Sequence, residues 1–66
     1  MNFKNFYKKY IYRQKRQDFL HYVGISGTSL IFYLNGRIPR KRVIEKIIKY
    51  AKEVTKQNLT IEDFYY

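Results

Sequence analysis

One glycine between two short helical patterns constrains this chain more than any other feature of its sequence. Before Gly24, three apolar residues share one helical face: Phe19, Leu20 and Val23. After it, three more share a face of a second pattern: Leu30, Tyr33 and Leu34. Gly24 can adopt the positive φ that ends a helix, Ile25 can fill the gap between the two helices, and Ser26 can cap the second one. The stretch therefore predicts two helices joined by a tight turn, the arrangement of a helix-turn-helix.

The length and composition of the chain indicate one small domain with an aromatic-rich core. At 66 residues the chain has room for a single hydrophobic core, which places one domain over residues 1–66. Eight Tyr and five Phe supply much of the area that this core can bury. The absence of cysteine excludes disulfides and fits a reducing cytoplasm, and no apolar run reaches the roughly 18 residues of a membrane span. We therefore expect a cytoplasmic protein without a membrane-spanning segment.

The charge balance is strongly basic. Fourteen Lys and Arg residues oppose five Asp and Glu residues, so that the formal net charge is +9. Such an excess on a small domain predicts attraction to polyanions, with nucleic acid as the first candidate partner and an anionic membrane surface as the second. A basic surface that is merely solvated is the alternative that charge by itself leaves open.

Further apolar patterns predict more helices on either side of this unit. The first three expected helices cover residues 2–12, 16–23 and 27–35. After Pro39, the apolar face of a fourth, strongly amphipathic helix consists of Val43, Ile44, Ile47, Ile48 and Ala51. A last short turn begins at a capping Thr60, and its expected core residues are Leu59, Ile61 and Phe64. The predicted fold is all-α, a compact bundle of four to five helices that contains a helix-turn-helix.

Short motifs in the chain resemble the Cro-like family of phage and mobile-element repressors. In that family a helix, a G-[IV]-S turn and a second helix ending in LNG recur, and the matching segments here are Val23–Ser26 and Tyr33–Gly36. The basic segment Arg37–Arg40 follows, and Leu59–Phe64 is similar to the VT-x-x-D-[FW] element of family members. The resemblance covers most of the chain from about residue 16. It implies a lambda-repressor-like fold that binds double-stranded DNA through its third helix and regulates transcription.

The sequence offers little chemistry for catalysis. It contains one His, no Cys and five carboxylates, and His21 has only Asp18 as a nearby partner on a similar helix face. Gly24, Gly27 and Gly36 are too scattered for a phosphate-binding loop. We therefore expect no enzyme activity, no small-molecule substrate, no metal and no cofactor.

The exposed face of the third helix is the expected reading surface for bases in the major groove. Base contacts are predicted for Ser26, Gly27, Thr28, Ile31, Phe32 and Asn35. Thr28 can hydrogen-bond a base or place its methyl group on thymine, and Asn35 can pair with adenine if it reaches the groove. The alternative for Asn35 is a role in ending the helix beside Gly36.

Ile31 and Phe32 depart from the residues that the resemblance leads us to expect. Family members usually display Gln, Ser, Arg or Lys along this face. Apolar side chains can read thymine methyl groups in an A·T-rich operator. They can equally pack inside the domain if the helix register differs by one residue, or they can form a protein-binding surface. The sequence leaves these three alternatives open.

Phosphate contacts are expected from two polar clusters that flank the unit. The predicted residues are Lys15, Arg16, Gln17, Arg37, Arg40, Lys41 and Arg42. By resemblance, Gln17 stands where family members hold a phosphate with a Gln side chain and its backbone N–H. The alternative for any single cation is a solvated surface charge.

Together these observations predict a sequence-specific DNA-binding transcriptional regulator, a Cro-like repressor that blocks its operator sterically. A short operator requires two reading heads, so we expect a homodimer on a pseudo-palindrome with half-sites roughly 34–36 Å apart. The segment Phe64–Tyr66 is a candidate dimer surface. The alternative is a protein-interaction module, such as an antitoxin or an antirepressor-like partner, that uses the apolar face of the third helix. Membrane binding through the first helix is a third class, and the need of so small a core for that helix argues against it.

Overall fold

Helices account for the regular structure of the computed structural model, which describes residues 1–65. Those residues contain no strand and four α-helices: α1 (Phe3–Tyr10), α2 (Arg16–Val23), α3 (Gly27–Leu34) and α4 (Lys41–Tyr50). A wider π-helical turn, Ala51–Thr55, continues α4, and a 3₁₀ turn covers Ile61–Phe64. The all-α prediction is confirmed. The expected count of up to five helices is slightly too high, because the last element is only a 3₁₀ turn.

The first helix is shorter than the predicted range 2–12. Asn2 caps its start, since the Oδ1 atom of Asn2 accepts a hydrogen bond from the backbone N–H of Asn5 at 2.9 Å. At the other end, the backbone of Ile11 leaves ideal helical geometry, with φ −117° and ψ −59°. The N–H of Tyr12 then donates to the carbonyl of Tyr7 at 2.9 Å, one residue further back than an α-helical bond. The chain therefore turns away before Tyr12 can continue the helix.

The connection between α2 and α3 has the predicted turn chemistry. Gly24 ends α2 in the left-handed conformation, with φ 79°, and its N–H donates to the carbonyl of Leu20 at 2.8 Å. Ser26 has an extended backbone and accepts the N–H of Ser29 on its Oγ atom at 3.1 Å. Ile25 is half-buried and packs against the core. The predicted roles of these turn residues are confirmed.

Apolar residues from all the elements meet in one core. Its buried members are Phe3, Phe6, Tyr7, Ile11, Phe19, Leu20, Val23, Leu30, Ile44, Ile47, Tyr50, Ala51, Leu59 and Phe64. Aromatic rings supply much of this packing: Phe3 stacks on Phe64 and Phe19 meets Tyr50 edge-on, each pair with centroids 5.2 Å apart. The two ends of the chain therefore pack together, and the described residues form a body of 25 × 24 × 20 Å.

The amphipathic α4 packs against α2, so that it supports the turn unit from behind. The predicted apolar face is confirmed. Ile44, Ile47 and Ala51 are buried, and Val43 and Ile48 pack at the margin of the core. In the C-terminal turn, Leu59 and Phe64 enter the core as predicted, whereas Ile61 is 47% exposed. The prediction for Ile61 is wrong, because one short turn presents only part of its side chains to the core. Along residues 1–65, no helix has the length and apolarity needed to cross a bilayer.

Candidate nucleic-acid interface

The predicted base-contacting residues lie along one side of α3. Five of the six are exposed: Ser26, Thr28, Ile31, Phe32 and Asn35. The sixth, Gly27, is half-buried at the first position of the helix. Helical spacing of four residues pairs Thr28 with Phe32 and Ile31 with Asn35, so that these side chains form two adjacent rows. The sequence of α3, GTSLIFYL, contains no charged residue, and its exposed side is therefore neutral.

The register of α3 decides where the two large apolar side chains point. Leu30 is buried, with 1% of its surface exposed, and Tyr33 and Leu34 pack at the margin of the core. Ile31 and Phe32 are consequently 54% and 50% exposed. The alternative in which both residues pack inside the domain is wrong. The thymine-reading and protein-binding alternatives both remain compatible with the exposed positions.

The end of α3 is closed by a Schellman motif that holds Arg37 beside Phe32. Gly36 adopts φ 107°, its N–H donates to the carbonyl of Tyr33 at 3.2 Å, and the N–H of Arg37 donates to the carbonyl of Phe32 at 3.0 Å. The helix ends at Leu34, one residue earlier than predicted. Asn35 is its C-cap, which confirms the helix-ending role of the Asn35–Gly36 pair. The side chain of Asn35 is exposed, and its contact with a base stays a prediction.

A groove along the C-terminal part of α3 combines apolar and cationic side chains. Its lining residues are Ser29, Phe32, Tyr33, Arg37, Ile38, Arg40 and Val43. The guanidinium carbon of Arg37 lies 5.8 Å from the centroid of the Phe32 ring, at the outer limit of a cation–π contact. Ile38 adds a third exposed apolar side chain, with 45% of its surface exposed. The loop after α3 thus places positive charge directly at the edge of the apolar face.

A second groove runs between the turn at Gly24 and α4. It is lined by Tyr22, Val23, Gly24, Arg40, Arg42, Val43 and Lys46. Arg40 lines both this groove and the previous one, so the cationic side chains of the two grooves form one continuous surface. Sequence reasoning missed Lys46, although its spacing of four residues after Arg42 on the amphipathic α4 was a usable signal.

The starts of α2 and α3 meet at a third groove. It is lined by Gln17, Leu20, His21, Gly24, Ile25, Ser26 and Gly27. The guanidinium of Arg16 packs against Gly27, since a Cβ atom built there would lie 2.6 Å from Nη2 of Arg16. Arg16 also faces the hydroxyl of Tyr7: burial raises the pKa of Tyr7, and the positive charge of Arg16 opposes that shift. Arg16 therefore packs between the first two helices and the start of α3, whereas Gln17 is exposed.

The predicted phosphate-contacting residues divide into three groups by their placement. Arg16 packs against Gly27 between the helices. Four residues line the three grooves described above: Gln17, Arg37, Arg40 and Arg42. Lys15 and Lys41 are exposed but line none of these three grooves. The structure therefore places Arg37 and Arg40 beside α3, and it adds Lys46 to Arg42 in the groove between the turn at Gly24 and α4.

The positive charges of the surface are not compensated locally. Within residues 1–65, no Lys or Arg side chain lies within 4.0 Å of a carboxylate oxygen, and the ion pair that does form joins the amino terminus of Met1 to Asp63 at 3.8 Å. Glu53 instead accepts a hydrogen bond from the hydroxyl of Tyr22 at 2.8 Å, which raises the pKa of Tyr22. No group of three His, Asp or Glu side chains in the same range is placed to hold a metal ion. The two grooves that Arg37, Arg40, Arg42 and Lys46 line therefore present cations without an ion-pair partner among residues 1–65.

The candidate dimer surface at the C-terminus needs a correction. Phe64 is fully buried in the core of its own chain, because its ring stacks on Phe3. Phe64 therefore has no surface to offer to a second copy. Tyr65 is 56% exposed, and Tyr66 lies outside the described residues.

Comparison with known proteins assigns no family to the chain. No family model, no curated protein and no solved structure matches the chain. The resemblance to Cro-like repressors therefore stays a prediction from the short sequence motifs.

Proposed function

We propose that this chain is a sequence-specific, double-stranded DNA-binding transcriptional regulator of the Cro-like type. In this proposal α2, the turn at Gly24 and α3 act as a helix-turn-helix, and α3 enters the major groove. One observation carries the proposal: the neutral, exposed face of α3 lies beside Arg37 and Arg40, which form no ion pair with a carboxylate within residues 1–65. Duplex DNA presents the complementary pattern, because two rows of phosphates border a groove in which the bases expose neutral edges.

The dimensions of the elements are compatible with this docking. An α-helix with its side chains is about 10–12 Å wide, and the major groove is about 12 Å wide. With α3 in the groove, we expect Arg37 and Arg40 at its C-terminal side and Gln17 near its N-terminal side to contact the phosphate rows. Arg can bind a phosphate through two N–H groups at once, which fixes the register of the helix.

The size of the domain supports action as a homodimer. Its largest dimension is 25 Å, less than the roughly 34–36 Å that separates consecutive major-groove half-sites on one face of B-DNA. One copy therefore reads one half-site, and specific recognition of a longer operator uses two copies related by a two-fold axis. Bound in this way, the protein would exclude RNA polymerase from the promoter. The proposal assigns no catalytic residue, cofactor or metal to the chain.

The second candidate is a protein-interaction module, such as an antitoxin or an antirepressor-like partner. The observation in its favour is the cluster of exposed apolar side chains formed by Ile31, Phe32 and Ile38. A hydrophobic partner would cover this cluster and would leave the surrounding cations at the rim of the interface.

The test of the proposal is a fluorescence-anisotropy titration of a labelled pool of random-sequence duplexes at several salt concentrations, followed by sequencing of the retained fraction. If the four groove cations Arg37, Arg40, Arg42 and Lys46 each displace one counterion, log K falls with log salt with a slope of roughly −4. We expect this slope together with an enriched inverted repeat. A shallow slope without enrichment would refute the proposal, and a steep slope without enrichment would reduce it to non-specific DNA binding.

Matched variants assign the salt dependence to the surface around α3. The double variant Arg37→Gln, Arg40→Gln should make the slope less steep by about two. The control is the double variant Lys52→Gln, Lys56→Gln, which removes the same charge from exposed residues that line none of the grooves beside α3. We expect the control to keep nearly the full slope, because its charges lie outside the proposed footprint.

One further variant separates the two candidate functions. Phe32→Arg adds a cation to the exposed face and removes an apolar ring without touching the core, since Phe32 is half-exposed. It should tighten the binding of random duplex if α3 faces DNA. It should abolish binding to a hydrophobic protein partner if that partner covers Phe32.

A further inference from the structure

The exposed face of α3 has an unusual composition for a surface that reads bases. Its central positions are Ile31 and Phe32, and its polar members Thr28 and Asn35 are short and neutral. No Arg or Lys on α3 can make the bidentate contact that identifies guanine. The face is therefore equipped for apolar contacts and for single neutral hydrogen bonds.

The 5-methyl group of thymine is the apolar group that unmodified bases present in the major groove. We propose, on the basis of the function proposed above, that Ile31 and Phe32 contact thymine methyl groups and that the half-site is consequently rich in A·T pairs. Asn35 fits the same target, because an amide side chain can pair with N6 and N7 of adenine, and Thr28 can contact either base of the pair. These four side chains thus fit A·T pairs through different atoms of the bases.

The charge around the face favours DNA over a protein as its occupant. Arg37 lies against the ring of Phe32, with 5.8 Å between its guanidinium carbon and the ring centroid, and Arg40 lines the same groove. Any molecule that covers Phe32 therefore lies next to Arg37 and Arg40, which have no carboxylate partner within residues 1–65. In a duplex, thymine methyl groups lie between two rows of phosphates, so that one ligand satisfies both the apolar face and its cationic border.

Replacement of thymine by uracil in a duplex isolates the proposed contact. The two bases have the same hydrogen-bonding groups, and uracil lacks only the 5-methyl group. The probes are the duplex that the random pool enriches, the same duplex with deoxyuridine at every thymine, and versions with deoxyuridine at single positions. Loss of one contacted methyl group should weaken binding roughly fourfold, from the burial of one CH₂-sized group. The effect should be confined to a few positions in each half-site and absent elsewhere.

The variant Ile31→Ala, Phe32→Ala assigns the effect to the two side chains. Both residues are half-exposed, so that the variant should keep the core, and circular dichroism checks that it is folded. In the variant, the ratio of thymine-duplex to uracil-duplex affinity should fall to about one. The control is Ile61→Ala, which removes a comparably exposed apolar side chain from the C-terminal turn and should keep the full ratio.

The outcomes separate this inference from the proposed function. If the wild-type protein binds its enriched duplex with a steep salt slope but does not distinguish uracil from thymine, the methyl contact is refuted and DNA binding stands. If the ratio persists in the Ile31→Ala, Phe32→Ala variant, the assignment to these side chains is overturned. If no duplex binds in a salt-dependent manner, both the function and the inference fail, and a protein partner for the apolar face becomes the occupant to seek.

Discussion

The hydroxyl group of Tyr50 is a buried polar group without a hydrogen-bond partner among the described residues. Removing this hydroxyl tests the packing described above. The side chain of Tyr50 is buried, with 2% of its surface exposed. Its ring meets Phe19 and Tyr22 of α2 edge-on, with centroids 5.2 Å away in both pairs. Tyr50→Phe keeps these ring contacts and deletes only the hydroxyl oxygen.

The expected effect is a gain in stability. A buried polar group without a partner costs about 1–3 kcal/mol relative to the unfolded, hydrated state. The lost oxygen also forfeits some dispersion contacts, so we expect the lower end of that range, a net gain of about 1 kcal/mol. For a domain of this length, such a gain raises the melting temperature by roughly 4–8 °C.

Urea unfolding monitored by circular dichroism measures this gain directly. The midpoint should rise while the m-value stays the same, because the surface exposed on unfolding hardly changes. The control is Tyr22→Phe, which removes a hydroxyl that donates to Glu53 at 2.8 Å and should therefore bring no gain. A Tyr50→Phe variant that is less stable than the wild type would show that the hydroxyl has a partner, such as an internal water, and would refute the reasoning.

The pH dependence supplies a second readout of the same group. Burial, and secondarily the negative charge of Asp18, raises the pKa of Tyr50 above its ordinary value of 10.0. As the pH rises past about 10, the unfolded chain loses this proton first, so that wild-type stability declines there and is intact below. Tyr50→Phe lacks this loss. Its advantage over the wild type should therefore widen above pH 10, in unfolding curves recorded at matched ionic strength.

Two predictions concern the turn between α2 and α3. Gly24→Ala should lower the free energy of unfolding by about 1–2 kcal/mol from backbone strain alone, because φ is 79° and a Cβ atom there meets nothing within 4 Å. Gly24→Asn should lose less stability, because Asn tolerates a positive φ better than Ala. Equal losses in chemical denaturation would argue against strain as the cause. Ser26→Ala should cost about 1 kcal/mol by removing the cap on the N–H of Ser29. Ser26→Asp should keep wild-type stability and weaken duplex binding, because it places a negative charge at the start of α3; unchanged affinity would contradict the proposed placement of that helix end.

The parts of this fold that depend on neighbours in the sequence could be predicted. The C-terminal end of α2, the left-handed Gly24 and the cap at Ser26 follow from helical periodicity and from bonds between residues a few positions apart. The amphipathic pattern of α4 likewise reveals which face is apolar before any partner is known. These features are local because each is determined by one turn of backbone and the side chains on it.

The candidate site was only partly predictable for the same physical reason. The exposed side of α3 follows from periodicity, but its register had to be resolved by the burial of Leu30 against the core. The position of Arg16 against Gly27 depends on how the first helices cross. The presence of Lys46 in the same groove as Arg40 and Arg42 depends on how α4 packs behind the turn. The sequence pattern of a single helix does not determine how far its side chains lie from those of another helix.

Local patterns in the sequence are sufficient to predict that the chain is helical and that a tight turn separates two short helices, and the composition gives the large excess of positive charge. The packing of the whole domain is needed to establish that Ile31 and Phe32 face solvent, that Phe64 is buried whereas Ile61 is not, and that Arg37 and Arg40 lie beside α3. Periodicity and capping act over a few residues, whereas burial results from competition among distant segments for one small core. In a chain of 66 residues, that competition leaves Ile31 and Phe32 exposed on α3, beside the groove that Arg37 and Arg40 line.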